Sequence, residues 1–438
     1  MQQLTDIQIG FYGIGLLLTL IALRVPIAVA LISVSFGGIA IIVSPQAAWG
    51  SLAVIPYNFT ASWHLSSIPM FVLMGFICYH AGLTNGLFRA ARMWLSALPG
   101  GLAVAAVFGC AGFAAVTGSS IACAAAMGRI AVPEMLRYRY DPGLATGTVA
   151  AAGTIGALIP PSILFILYGM IAQVQVSQLF LAGLVIGLIT AFAYTLVIVV
   201  RVTLNPALAP KTDEPIRWAD RFGALREVWP VLLLVLSVFG GLFAGIFTPT
   251  EAGAIGAFTS LLITMVRRSI TLRGLWSSLM ETLTISASIF IIAVGASMLT
   301  RFFAFSGVSD ALGNVVLEMG ISPLLLILAI ALLYLVLGMF LEPIGAMLLT
   351  LPILLPLIES ADISLLWFGV LVAKLLEIGM VTPPIGLNVF VLKSVMGERM
   401  STGTIFGGVT WFIMADLVII GLMVAFPAIV LFTQTLVQ

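Results

Sequence analysis

The polar residues of this sequence that could bind a ligand lie at two Pro-Pro pairs, within IGALIPPS (residues 155–162) and IGMVTPP (residues 378–384). Two adjacent prolines remove two backbone donors, so a helix must break at each pair and restart beyond it. The restarted half-helices would present free N–H groups and a partial positive charge, which can hold an anionic group without a buried lysine. The alternative is that the nearby hydroxyls only pack helices together. The predicted substrate-binding residues are Ser120, Pro160, Pro161, Ser162, Pro383, Pro384 and Asn388.

Isolated charges inside apolar segments form a second group of candidates, because a charge at a membrane helix centre costs about 2.5 to 3.5 kcal/mol. Glu342, in a Leu-Glu-Pro turn, either stabilises the turn or binds a cation such as sodium, together with carbonyls freed by the second break. Glu377 and Lys374 lie one turn apart, and we expect them to pair with each other; a role in the binding site is the alternative. Glu251, in TPTEAG, is expected to cap a helix, and Asp416 has no partner that the sequence identifies.

The composition indicates a polytopic membrane protein, since 61% of the residues are hydrophobic, 8% are charged and the mean hydropathy is +1.22. Soluble globular proteins carry about 25% charged residues. A net charge of +1 gives no reason to expect a nucleic-acid partner, whereas contact with membrane lipid is expected. No Ser/His/Asp arrangement, nucleotide-binding loop or metal-type His/Cys cluster is present, so an enzyme is poorly supported. A channel would need a continuous polar pore that the sequence does not show.

The two proline-rich stretches belong to an internal repeat. One ungapped shift of 223 positions aligns three pairs of landmarks: Pro133 with Pro356, Gly156 with Gly379, and Pro160 with Pro383. The same shift sets TGSS, around residues 118–120, against LEP at residues 341–343. Gly/Pro-interrupted segments at matching positions of two halves are typical of a transporter binding site.

The repeat predicts an all-α fold with two re-entrant helical hairpins, whose tips are residues 118–120 and 341–343, and two broken transmembrane helices. Two ordinary spans joined by a Gly/Ser turn are the alternative for the first hairpin. Five parts are predicted. Residues 1–98 contain N-terminal scaffold spans and an amphipathic arm helix, residues 99–175 contain the first hairpin and broken helix, and residues 176–320 contain further scaffold spans, a polar loop at 201–227 and a second arm helix. Residues 321–400 contain the second hairpin and broken helix, and residues 401–438 contain a last span.

The distribution of basic residues predicts that the two repeats have inverted topology. Arg137 and Arg139 follow the first hairpin and belong in the cytoplasm by the positive-inside rule, whereas Glu359 and Asp362 follow the second. Matched loops on opposite sides are what an inverted repeat requires. The scheme places both termini on the non-cytoplasmic, periplasmic face. The first apolar run, which starts near Ile9 without a signal-peptide pattern, is predicted to be a retained span.

Five motifs in this order resemble the large membrane (permease, M) subunit of tripartite ATP-independent periplasmic (TRAP) transporters. They are IPMFVLMG (68–75), TGSSIA (117–122), IPPSI (159–163), FTPTEAGA (247–254) and TPPIGLN (382–388). The resemblance covers nearly the whole chain. It implies a secondary active importer of small organic acids in the bacterial inner membrane, sodium-coupled and working by an elevator mechanism. It also implies two partners, a small four-helix membrane subunit and a periplasmic substrate-binding protein. The alternative is a standalone elevator-type carrier for dicarboxylates or citrate.

The resemblance also implies two sodium sites and no cofactor beyond these coupling ions. The first would be formed by Gly118 and Ser119 with backbone near Gly156. The residues of the second would be Gly338, Glu342, Gly379 and Thr382. Glu342 is a departure, because members of the family often carry aspartate there.

Overall fold

Lipid offers no hydrogen bonds to a protein backbone, so helices are the expected elements of a chain this apolar. The structure is a computed structural model that describes residues 4–210, 218–318 and 320–436. Within these ranges all regular structure is helical, and seven helices are long and apolar enough to cross a membrane. A bent pair of helices raises this number to eight if the pair counts as one span. The predicted class, an all-α polytopic membrane protein, is therefore confirmed.

The N-terminal part contains two short apolar helices, a bent pair and an amphipathic helix. In chain order these are α1 (Asp6–Ala22), α2 (Ile27–Ile42), α3 (Pro45–Thr60), α4 (Ser67–His80) and α5 (Asn85–Leu95). α3 and the segment Trp63–His80 meet at 55°. α5 is the arm helix that the sequence predicts, and it lies between two turns.

The first repeat is a helical hairpin followed by a broken helix, as predicted. Hairpin 1 consists of α6 (Gly101–Thr117) and α7 (Ser120–Arg137), and broken helix 1 consists of α8 (Pro142–Gly153) and α9 (Ile163–Ile171). A short 3-10 turn, Thr154–Ala157, follows α8, and residues 158–162 are not helical. The break therefore coincides with the predicted proline-rich stretch.

The segment between the repeats is more helical than the sequence suggests. It contains α10 (Val176–Leu204), α11 (Trp218–Val235), α12 (Gly241–Phe243), α13 (Pro249–Val266), α14 (Leu272–Ser306) and α15 (Val308–Glu318). The prediction of one polar loop over 201–227 is wrong at both ends, because α10 and α11 extend into it; residues 211–217 lie outside the described ranges. Glu251 caps α13 in a reciprocal pair of hydrogen bonds with Thr248, which confirms the predicted cap.

The second repeat has the same plan. Hairpin 2 consists of α16 (Pro323–Phe340) and α17 (Pro343–Ser360), and broken helix 2 consists of α18 (Leu365–Gly379) and α19 (Leu387–Met396). The chain closes with α20 (Thr402–Ala425) and α21 (Ala428–Leu431). α20 ends at Ala425, within the predicted last part of the chain (401–438), because Pro427 cannot continue the helix.

The helix boundaries reproduce the shift of 223 positions found in the sequence. The matched pairs are the ends of α6 and α16 (Thr117, Phe340), the starts of α7 and α17 (Ser120, Pro343), their ends (Arg137, Ser360) and the starts of α8 and α18 (Pro142, Leu365). The loop residues Arg139 and Asp362 also match, and both adopt positive φ, 59° and 55°. These coincidences support a structural repeat; the re-entry of the hairpins and the opposite sidedness of the halves stay predictions.

The repeats interlock in the centre of the molecule. α19 of the second repeat packs against α7 and α8 of the first, and α9 packs against α18. α20, which the sequence assigns to a separate C-terminal part, lies along α8. On the other side α4 packs against α13 and α14, and α14 packs against α2. The division of the chain into five parts stays a prediction.

Charged contacts attach the arm helix α5 to its neighbours. Arg92 contacts Glu134 of α7 at 2.5 Å and donates to the hydroxyl of Tyr138 at 2.7 Å. Arg89 pairs with Glu227 of α11 at 2.9 Å. Because these pairs are partly exposed, each contributes at most about 1 kcal/mol, and their main effect is to fix the orientation of α5 against hairpin 1.

The inverted arrangement can be tested at one matched pair of exposed positions. Arg137→Cys and Ser360→Cys, made separately, should react with a membrane-impermeant maleimide from opposite sides: the second from the periplasm, the first only after the inner membrane is opened. The native thiols Cys78, Cys110 and Cys123 are buried and should give little background. Labelling of both variants from the same side would contradict an inverted repeat.

Candidate functional site

A cavity of about 550 Å³ lies where the tips of both hairpins meet both broken helices. α4 and α14 form its opposite wall. Its polar lining side chains are Tyr79, Thr117, Ser119, Ser120, Ser288, Glu342 and Glu377, and the remaining lining residues are apolar or glycine. The cavity therefore joins the two predicted hairpin tips in one space.

The tip of hairpin 1 is pressed against the break of broken helix 1. Gly118 ends α6 with φ of 59°, and a β-carbon on it would collide with the carbonyl oxygen of Pro161. A β-carbon on Gly156 would lie 2.9 Å from the carbonyl oxygen of Ser119. The structure thus brings together the three residues of the predicted first sodium site, with carbonyl oxygens of the kind that hard cations prefer.

Hairpin 2 approaches its own break in a similar way. Gly338, near the end of α16, contacts Gly379, where an added β-carbon would lie 2.5 Å from the α-carbon of Gly338. Glu342 begins α17, and its Oε2 accepts the backbone N–H of Gly345 at 3.1 Å. Its side chain is exposed and lines the cavity. Thr382 lies in the break and donates its hydroxyl to the carbonyl of Ile378 at 2.7 Å, away from the lining of the cavity.

Glu377 is the most enclosed acid of the cavity. It lies on α18 with 1% of its surface exposed, and its Oε2 accepts the hydroxyl hydrogen bond of Ser120 at 2.6 Å. This bond connects the tip of hairpin 1 with broken helix 2, across 257 residues of sequence. The contact with Ser120 was not predicted, because pairing with Lys374 was favoured over a role in the site, although the repeat aligns Glu377 with Thr154 in the first break.

The structure places only some of the predicted substrate-binding residues at the cavity. Ser120 lines the cavity. Ser162 is fully buried and caps α9 by accepting the backbone N–H of Phe165 at 3.4 Å. Asn388 is buried as well, donates to the carbonyl of Ala150 at 3.4 Å, and its Oδ1 has no partner within the described residues. The four prolines do not line the cavity: Pro160 and Pro161 are buried, and Pro383 and Pro384 are exposed elsewhere.

Comparison with known proteins identifies the family. A family model described as "Tripartite ATP-independent periplasmic transporter, DctM component" matches residues 14–429. The chain belongs to this family. The resemblance to TRAP permeases inferred from the motifs is thereby confirmed.

Relatives of this TRAP permease have names that specify different substrates. The chain is 33% identical to the C4-dicarboxylate TRAP transporter large permease protein DctM of Pseudomonas aeruginosa, over 86% of this chain and 88% of that relative. It is 32% identical to the isethionate TRAP transporter permease protein DctMQ of Oleidesulfovibrio alaskensis, over 86% of this chain but 59% of that longer relative. The sialic acid TRAP transporter permease protein SiaT of Haemophilus influenzae is 30% identical, over 86% of this chain and 60% of that relative.

Solved structures of other transporters share the fold of this TRAP permease. The YdaH transporter of Alcanivorax borkumensis superposes with a TM-score of 0.63 at 16% identity, over 88% of this chain and 90% of that one. MtrF of Neisseria gonorrhoeae gives 0.58 at 13% identity, over 87% and 85%. At such identities the likeness concerns the fold alone.

A buried ion pair in the permease overturns the expected pairing of Lys374 with Glu377. The ammonium of Lys374 contacts Asp416 Oδ1 at 2.6 Å and donates to the hydroxyl of Thr190 at 3.0 Å. The hydroxyl of Tyr194 donates to the other oxygen of Asp416 at 2.7 Å. Asp416, which had no partner identifiable from sequence, is therefore held by α10 and α18. Both charges are fully buried, so the pair fixes the position of broken helix 2.

The cavity walls from α4 and α14 were missed by the sequence reasoning. Val72 and Phe76 of α4 line the cavity beside Ile285, Ile289 and Ile292 of α14. Aliphatic side chains in a membrane span give no signal that separates a cavity wall from a lipid-facing surface. The motif IPMFVLMG (68–75), which carries part of the family resemblance, lies within α4 and was the signal in the sequence that could have indicated this wall.

The contact between Gly338 and Gly379 should not tolerate a methyl group. Gly379→Ala places a β-carbon against backbone that cannot move aside, so we expect a loss of about 1 to 3 kcal/mol of stability and impaired transport. The measurement is the thermal unfolding midpoint of the purified protein, with initial uptake rates. Gly421→Ala is the matched control, because nothing lies within 4 Å of its added β-carbon. Equal behaviour of the two variants would argue against a tight backbone contact.

Removal of one member of the buried ion pair should be more harmful than removal of both. Asp416→Asn leaves the Lys374 ammonium without a counter-charge, and such changes cost about 3 to 5 kcal/mol. The double variant Lys374→Met with Asp416→Leu removes both charges and should recover most of that stability. The unfolding midpoint compares the three proteins. A double variant less stable than Asp416→Asn would show that the polar contacts to Thr190 and Tyr194 dominate instead.

Proposed function

We propose that this chain is the permease of a sodium-coupled importer that takes small organic acids from a periplasmic binding protein and moves them across the bacterial inner membrane. The observation that carries the proposal is the single cavity shared by both hairpin tips and both broken helices. Helix breaks at membrane depth are tolerated where they line a cavity, and paired breaks in two repeats mark the binding region of secondary transporters. The substrates in the relatives' names, C4-dicarboxylates, isethionate and sialic acid, support an organic acid.

Sodium coupling is supported by the oxygen atoms at the two tips. At the first tip, the carbonyls of Ser119 and Pro161 lie against Gly156 and Gly118. At the second, the exposed carboxylate of Glu342 stands beside the break that contains Gly379. Sodium prefers hard oxygen ligands of this type, and backbone carbonyls at broken helices are a recurrent source of them.

An elevator movement is supported by the arrangement of the helices around the cavity. The hairpins and broken helices interlock with each other, and α4 and α14 form the opposite wall of the cavity, where they also pack against α6 and α17. In the proposal, the interlocked group moves with its ligand and α4 and α14 belong to the stationary scaffold, with both chain termini on the periplasmic side.

The proposed partners are a small four-helix membrane subunit and a periplasmic binding protein. The family description names a tripartite periplasmic system, which requires components beyond this chain. The relative named DctMQ is longer than this chain, which covers 59% of it, and that extra length supports a second membrane component. A standalone carrier for dicarboxylates or citrate is the competing function.

The proposal is tested by uptake into proteoliposomes that contain this chain with its small subunit. Labelled organic acids are supplied with and without a sodium gradient and with and without the binding protein. We expect uptake that needs both. Uptake that is indifferent to the binding protein would instead establish a standalone carrier.

Glu342→Ala should weaken the sodium dependence of this uptake. The variant removes a proposed ion ligand, so the sodium concentration for half-maximal uptake should rise at least about tenfold, since loss of even an outer-shell partner costs a metal site that much. Glu359→Ala, an exposed acid at the end of α17 that does not line the cavity, is the control. An unchanged sodium dependence in Glu342→Ala would remove this residue from the ion site.

A further inference from the structure

The charge of the cavity does not fit a substrate with two acidic groups. Glu342 and Glu377 both line it, while no Lys, Arg or His occurs among its lining residues in the described structure. A dicarboxylate would bring two further acidic groups into a space that is already lined by two carboxyl groups. Acidic groups confined to one cavity disfavour each other's ionisation. Sodium ions at the two hairpin tips would offset part of this repulsion, but they offer nothing specific to Glu377.

Among the described residues, no basic side chain pairs with Glu377. Lys374, one turn earlier on α18, directs its ammonium to Asp416 and Thr190 instead. The hydroxyl of Ser120 donates a hydrogen bond to Oε2, one of the two oxygens of the Glu377 carboxylate. A buried carboxylate without a counter-ion calls for a cationic group or donor from the ligand.

The remaining surface of the cavity favours a ligand that carries an apolar group. Its walls are formed largely by Val, Ile, Leu, Met, Phe and Ala side chains from all of the surrounding elements. Such walls stabilise a bound hydrocarbon group by about 25 cal/mol for each Å² removed from water. They offer nothing to a highly hydroxylated or doubly charged molecule. The volume of about 550 Å³ is ample for a small molecule with one branched or aromatic group.

We propose that the substrate of this permease is a small zwitterion, a monocarboxylate that also carries an ammonium group and an apolar body, and that Glu377 binds the ammonium. An apolar α-amino acid is the simplest molecule of this class. Its carboxylate lies towards the coupling ions at the hairpin tips, and its side chain lies against α4 and α14. Ser120 is a positioning residue, because its hydrogen bond holds the Glu377 carboxylate at the cavity. This inference rests on the proposed transport function and narrows its substrate.

The experiment measures ligand binding by the permease itself, without the binding protein, so that the selectivity of the cavity is seen alone. The detergent-solubilised complex with the small subunit is heated in sodium buffer with increasing L-leucine, with 4-methyl-2-oxopentanoate, or with succinate. A ligand that binds the folded state raises the unfolding midpoint by an amount that grows with the logarithm of the ratio of its concentration to its Kd, so the concentration dependence yields the affinity. Leucine and its 2-oxo analogue share the carboxylate and the branched body, and they differ at the ammonium.

For the wild-type complex we expect leucine to bind at least about tenfold more tightly than the 2-oxo acid, as one charge-assisted hydrogen bond provides. Succinate should give no shift. A succinate shift as large as that of leucine, equal binding of leucine and its 2-oxo analogue, or no shift with leucine would each overturn the proposal. This ranking needs no variant, so it decides the matter even if a substitution at the cavity impairs folding.

Glu377→Gln removes the charge but keeps the shape and an acceptor for Ser120. Leucine binding should weaken by about tenfold, and the preference for leucine over the 2-oxo acid should shrink towards unity. Glu359→Gln, the same change at an exposed position outside the cavity, should alter neither. An unchanged preference in Glu377→Gln would overturn the role of this carboxylate. If only the inferred substrate class is wrong, sodium-driven uptake of other acids that depends on the binding protein will still be observed. If the proposed transport function is wrong, that uptake will be absent as well.

Discussion

The structure depends on one constraint: backbone groups that a helix break exposes must be satisfied within the protein, because lipid cannot satisfy them. Each Pro-Pro pair creates such a break, and each break is approached by the tip of a hairpin. At the first tip, glycine is required at Gly118 and Gly156 because the backbones of the tip and the break touch. At the second, Gly338 and Gly379 meet for the same reason. The breaks therefore determine where the hairpins lie and where the cavity forms.

Buried charge is the second consequence of this architecture. Lys374 and Asp416 neutralise each other away from the cavity, and this leaves Glu377, one turn from Lys374, without a basic partner in the part of the chain that the structure describes. A pair formed by Lys374 and Glu377, as the spacing suggested, would have left this face of α18 with no net charge. In the structure, Asp416 of α20 binds Lys374 instead, so Glu377 remains at the cavity and is not paired with this lysine. The ion pair therefore contributes to the acidic character of the cavity.

The repeat made much of the fold predictable. The shift of 223 positions, found from three pairs of prolines and glycines, anticipates the starts and ends of the hairpin helices. Helix caps and breakers act locally, so sequence alone locates them. The partners of Glu377 and Asp416 were not predictable in this way, because Ser120 lies 257 residues from Glu377 and no periodicity connects them. Tertiary contacts of single side chains carry no local signal, and the seven predicted substrate-binding residues were separated by the structure for the same reason.

The two breaks differ in their surroundings, although their sequences match. Ser162 beside the first Pro-Pro pair is fully buried, whereas Pro383 and Pro384 of the second pair are exposed. Matched elements of a repeat can occupy different environments when the repeats contact different neighbours, and here α10 covers the first break. Both breaks nevertheless contribute to one cavity, through Ala157 on one side and Met380 on the other. Because two carboxyl groups and no basic side chain of the described residues line that cavity, we expect an acidic ligand to be held together with cations. In the proposed mechanism, this requirement makes sodium a condition of substrate binding.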